Sequence, residues 1–102
     1  MSEKGPSLFV VILRYLVNIE RIFEHLPEHY VFLDKNYAEG IFLASGPQKP
    51  IGGLILAKAD NRDTLMDVLV QDPFYQHKLV EFQVYECNPT KYSKMFEGLF
   101  AE

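Results

Sequence analysis

The chain has 102 residues, no tryptophan and one cysteine, Cys87. A lone cysteine excludes an internal disulfide. Such cysteine usage suits a reducing compartment, and a cytoplasmic location is expected. No apolar stretch approaches the roughly 20 residues that a membrane-spanning helix needs. The opening Met1-Ser2-Glu3-Lys4-Gly5-Pro6 leads into an apolar run too short for a signal peptide, with no small-residue cleavage site after it. Positive charge is also sparse. Ten Lys and Arg against fourteen Asp and Glu give a net charge of -4, and only Lys91 and Lys94 lie close together. Phosphate recognition needs clustered cations, so neither nucleic acid nor a membrane is an expected partner. Repeats, low-complexity stretches, linkers and a phosphate-cradling glycine loop are all missing.

What remains is an ordinary globular balance of 48% hydrophobic and 24% charged residues. It predicts one domain over residues 1–102, with a flexible start at 1–6. A domain of this size buries roughly 65% of the surface of its unfolded chain, which supplies one modest core.

Residues 8–15, Leu-Phe-Val-Val-Ile-Leu-Arg-Tyr, read as a buried strand. Asn18 can cap a short turn holding Ile19, Ile22 and Phe23. Pro27 fits the start of a helix, Glu28 suits the positive end of its dipole, and Gly40 suits its C-terminal cap. A helix is predicted over about 27–39, with Tyr30, Leu33 and Tyr37 at helical spacing. Ile41 to Ser45 is a second strand ended by Gly46-Pro47, and Gly52 to Ala59 is a third. Their short connection predicts an antiparallel hairpin. Asp60 or Asn61 caps a second helix, which carries Leu65, Met66, Val68 and Leu69 and reaches Gln71. Asp72-Pro73-Phe74 breaks it, because the residue before proline leaves the α region. Asp72 can itself cap a turn to His77. Leu79 to Cys87 is the fourth strand, with Val80, Phe82 and Val84 on its drier face. The extension at 88–102 has Tyr92, Met95, Phe96, Leu99 and Phe100 spaced for an amphipathic helix or for a segment draped over a partner.

The order βαββαβ predicts an α+β fold of the ferredoxin-like, split βαβ kind, with an antiparallel sheet and both helices on one face. The runs Phe9–Leu13, Ile41–Ala44 and Leu54–Ala57 do not alternate, although a sheet with one solvated face should. A second copy is the simplest cover for the other face, so a homodimer packed sheet to sheet is expected.

The segment Pro27-Glu28-His29-Tyr30-Val31-Phe32-Leu33, then Glu39-Gly40, Ala44-Ser45-Gly46-Pro47 and Asp72-Pro73-Phe74, resembles YciI-like proteins in order and spacing, from about Leu8 to about Glu86. The resemblance implies a dimeric α+β barrel. It also implies a His–Asp active site, which falls on His29 and Asp72, with Ser45 and Gly46 lining the same cleft. Pro47 and Phe74, within the matching motifs, count with them as substrate-binding positions. Some relatives look like lyases or dehydrochlorinases acting on hydroxylated rings. The extension after residue 88 departs from the family pattern.

The residues themselves permit that chemistry. Imidazole takes and returns a proton near neutral pH, and a carboxylate can orient it. On an α-helix His29 lies about 40° from Leu33, at the edge of the apolar stripe, whereas Asp34 lies about 140° from His29 and points away. His29 bonded to backbone and Asp72 acting only as a cap are the structural alternatives. Ser45 has no adjacent base, and Gly-x-Ser-x-Gly is missing. Cys87 reads as a small buried hydrophobe. His25 and His29 stand at His-x-x-x-His spacing, but Pro27 separates them. His77 with Glu81 is a weak surface pair, so no metal site and no cofactor are expected. Tyr15, Tyr30, Tyr37 and Phe74 read as core or pocket wall. Two functions stay open. One is an enzyme of lyase or isomerase type with a His–Asp dyad acting on a small cyclic or aromatic molecule. The other is a non-catalytic, ligand-binding or regulatory homodimer. A cofactor-independent monooxygenase is a third reading without a residue to support it.

Overall fold

The structure, a computed structural model, describes residues 6–100. The elements run β1 (Ser7–Tyr15), α1 (Ile19–Glu24), α2 (Leu26–Ala38), β2 (Phe42–Pro47), β3 (Gly53–Ala59), α3 (Arg62–Leu69), α4 (Pro73–Gln76) and β4 (Val80–Cys87). The strands form one antiparallel sheet in the order β2-β3-β1-β4. This is the α+β, ferredoxin-like arrangement expected from the element order.

Local chemistry explains the boundaries. Asn18 Oδ1 accepts the Arg21 N–H at 3.3 Å, which turns the stretch after β1 into a true short helix, α1. Pro27 sits in the first turn of α2. At the other end of α2 the Gly40 N–H donates to Tyr37 O and the Ile41 N–H to Asn36 O. That paired closure needs a left-handed residue, and Gly40 supplies it at φ +78°. Asn61 caps α3 through the Thr64 N–H at 2.9 Å, and α3 stops at Leu69, two residues short of the expected end.

The core lies between the helices and one sheet face. Phe9, Val11 and Leu13 of β1 and Ile55 and Ala57 of β3 are buried, and they cluster with Phe32 and Leu33 of α2 and Leu65 and Leu69 of α3. Each of these side chains larger than that of alanine contributes about 1.5–3 kcal/mol by leaving water. The other face carries Leu8, Val10, Ile12, Leu54 and Leu56, all half-buried, with Tyr85 exposed beside Val10.

Three expectations need correction. The buried stripe of α2 is His29, Phe32, Leu33 and Asn36, so His29 lies in the stripe and Tyr30 is exposed. Cys87 is exposed at the end of β4 rather than buried. Residues 88–100 form no α-helix; they contain one 3₁₀ turn, Lys94–Phe96, and Gly98 at φ +87° breaks helical continuation after it. Residues 1–5 and 101–102, parts of the expected flexible start and C-terminal extension, lie outside the described residues. Among the described residues no helix is long and apolar enough to cross a membrane.

Candidate active site

The local sequence places an acid behind a histidine. Pro73 forces Asp72 out of the helical region, and Asp72 caps α4 by accepting the Phe74 N–H on Oδ1 at 2.9 Å. The same oxygen lies 2.8 Å from His29 Nδ1, across 43 residues of sequence. A carboxylate oxygen accepts, so Nδ1–H donates and Nε2 carries the lone pair of the neutral ring. Asp72 is fully buried at 0% exposure and His29 is 7% exposed. The second oxygen of Asp72, Oδ2, is buried without a hydrogen-bond partner among the described residues. Asp34, the rival acid, is exposed on α2.

The imidazole is held on its face as well as its edge. The Phe74 ring stacks on it with centroids 3.9 Å apart and planes 5° apart. Hydrogen bond and stack together allow the ring one orientation, the arrangement a proton-transfer group requires.

His29, Phe74, Ser45, Gly46 and Pro47 line one cavity of about 500 Å³. That volume falls within the range of small-molecule sites. Asp72 is not in the wall; it stands behind His29, hydrogen-bonded to it. The Ser45 hydroxyl is hydrogen-bonded to the Tyr37 hydroxyl, which fixes it at the rim. Tyr15 and Tyr30 also reach the cavity. Burial raises the Tyr15 phenol above its ordinary pKa, and neighbouring Tyr30 adds to the rise, so Tyr15 keeps its proton.

Much of the wall was not singled out in the sequence. Ile19 and Phe23 of α1 and Ile51 of the β2–β3 loop close the apolar side. The signal for the loop is Gly52. Its φ is +117°, and a Cβ there would stand 3.0 Å from the carbonyl oxygen of Leu13. Only glycine lets the loop approach β1 so closely. His25 and His77, unconnected in the sequence, lie with ring centroids 4.0 Å apart just outside the dyad.

A family model of the YCII-related domain matches residues 8–88. The structure is similar to that of 5-chloro-2-hydroxyhydroquinone dehydrochlorinase (TftG) from Burkholderia phenoliruptrix AC1100, solved in complex with 2,5-dihydroxybenzoquinone. The TM-score is 0.69 at 17% identity, covering 86% of this chain and 97% of that chain. At that identity the likeness shows the fold. No curated protein matches the sequence.

Proposed function

The chain belongs to the YCII-related domain family, and from that premise we propose that it is a small-molecule enzyme of lyase or isomerase type. His29 is its general acid/base, and Asp72 is its positioning residue. The observation that carries the proposal is the buried His29–Asp72 hydrogen bond at the wall of a largely apolar cavity.

Nε2 of His29 takes a proton from carbon or oxygen of the substrate. The Asp72 carboxylate stabilises the imidazolium that results, through Nδ1–H. In an elimination the freed electron pair forms a double bond as a group leaves the neighbouring carbon. In an isomerisation the proton returns at another position. Both reactions proceed by proton transfer and are complete without net oxidation. The apolar walls favour a flat cyclic or aromatic substrate, Ser45, Gly46 and Pro47 contact its polar edge, and the protonated Tyr15 hydroxyl can donate to an oxygen on it. Hydroxylated quinones and hydroquinones, the chemistry named for the dehydrochlorinase with the same fold, are therefore the first substrates to test.

The test is binding and turnover of a panel of halogenated and hydroxylated hydroquinones, in the wild type and in His29→Ala. Turnover is expected to fall by about 10²–10⁴-fold in the variant, the usual worth of general acid–base catalysis. An undiminished rate in a folded His29→Ala protein removes His29 from the mechanism. Binding without turnover of any panel member would favour the ligand-binding module instead.

We also propose a homodimer packed sheet to sheet. The half-buried apolar face of Val10, Ile12, Leu54 and Leu56 supports it.

A further inference from the structure

Three side chains just outside the dyad form a cluster that the proposed acid–base chemistry does not use. His25 closes α1 and opens α2, Glu28 lies in the first turn of α2, and His77 ends α4. One ligand atom from each lies within 4.8 Å of the other two. His25 Nδ1 is 2.8 Å from Glu28 Oε1, and His77 Nε2 is 3.8 Å from the same oxygen. The two imidazole rings face each other at 4.0 Å with 31° between their planes.

We propose that His25, Glu28 and His77 bind a divalent transition-metal ion, with zinc the best fit. Two imidazoles and one carboxylate are a recognised zinc donor set. Bonds of about 2.0–2.1 Å in a tetrahedron place donor atoms roughly 3.3 Å apart, and the two observed separations bracket that spacing. Without an ion, two imidazoles compete for one carboxylate. With an ion, all three donors are satisfied and a fourth position stays open to water.

The backbone fixes both histidines in advance. His25 donates its N–H to Ile22 O and is shared between two helices. His77 is held by a closing turn in which the Lys78 N–H donates to Tyr75 O and the Leu79 N–H to Phe74 O. That turn keeps Lys78 at φ +61°, the left-handed region that lysine rarely adopts. Such a conformation persists only where the surroundings determine it. The ion would clip the start of α2 to the end of α4. Those are the two elements that carry His29 and Asp72, so the metal would hold the dyad together from outside while leaving it uncoordinated. The metal site stands on its own residues and does not depend on the acid–base reading.

The experiment uses the tag-free full-length chain, stripped by chelator, with Zn²⁺ and Co²⁺ as probes. Saturating zinc is expected to raise Tm by roughly 10 °C, and Co²⁺ to give the visible bands of a four-coordinate nitrogen and oxygen site. His77→Ala and Glu28→Gln are expected to lose both signals. His29→Asn, which disables the dyad, and Cys87→Ser, which removes the exposed thiol, are expected to keep them. Glu28→Gln is a nearly isosteric change at an exposed position, so it guards against a histidine variant that fails to fold. A wild type indifferent to both ions overturns the proposal. So does an undiminished response in the two cluster variants, or a cobalt spectrum of sulfur ligation that disappears with Cys87→Ser.

Discussion

His29 and Phe74 are joined twice: their rings stack at 3.9 Å, and the His29 Nδ1–H and the Phe74 backbone N–H donate to the same oxygen, Asp72 Oδ1. One three-residue turn, Asp72-Pro73-Phe74, therefore supplies both the acceptor and the platform for an imidazole on another helix. Neither residue can move without loosening the other.

Asp72→Asn keeps an acceptor for both N–H groups and removes the charge. Its amide NH₂ then occupies a buried position where no acceptor is seen, so unfolding free energy should drop by about 1–3 kcal/mol in denaturant titration. Any turnover should fall much further, by roughly 10²-fold or more, because the imidazolium loses its counter-charge. Equal activity in the two proteins would reduce Asp72 to a helix cap.

Phe74→Ala should cost about 3–5 kcal/mol, since Phe74 is 2% exposed and packs in the core. The same change frees the His29 ring. Its signals in NMR should then report more than one orientation, whereas a single unchanged environment would show that the stack is not needed to fix it.

Gly52→Ala should destabilise the chain by at least about 1–2 kcal/mol. The residue must keep φ +117°, and its new methyl must push on Leu13 O, an immobile backbone atom. Thermal unfolding measures this, and a neutral result would mean that the β2–β3 loop yields without cost.

Tyr15 gives a pH dependence of definite sign. Its folded pKa is raised by burial and by Tyr30, so the unfolded chain releases that proton first, near pH 10. Stability from the neutral phenol is complete below that pH and is lost as pH rises from there through the folded pKa. Tyr15→Phe should show a shallower fall in stability over this alkaline window. Identical alkaline profiles would contradict the raised value.

Leu56→Glu tests the outer sheet face. Leu56 is half-buried between Val10 and Ala44. In the proposed homodimer a carboxylate there would be desolvated against the partner. The wild type should sediment at twice its 11.8 kDa chain mass and the variant near that mass. A wild type that is monomeric at micromolar concentration rejects the dimer.

Features that depend on neighbours a few residues apart are legible in the sequence. Asn18, Asn61 and Asp72 each cap the helix that follows, through contacts two or three residues away. Pro27 and Gly40 bound α2 because ring closure fixes φ in one case and the missing Cβ frees it in the other. With the strand runs, these signals give the element order, and the order leaves few topologies for an antiparallel sheet.

Tertiary packing decided what no local rule contains. The acid that meets His29 was read from a family resemblance, and its contact spans 43 residues. Spacing along α2 marks only the edge of a stripe; the packing of the helix against the sheet turns His29 inward and Tyr30 out. Spacing pairs His25 with His29 and His77 with Glu81, whereas docking of α4 beside α2 brings the His25 and His77 rings to 4.0 Å of each other. Helix caps and turn hydrogen bonds act over a few ångströms of covalently tethered chain, so they are written in adjacent residues. A shared carboxylate, a stacked ring or a metal site depends on which faces the whole core turns toward one another, and that is a property of the packed fold.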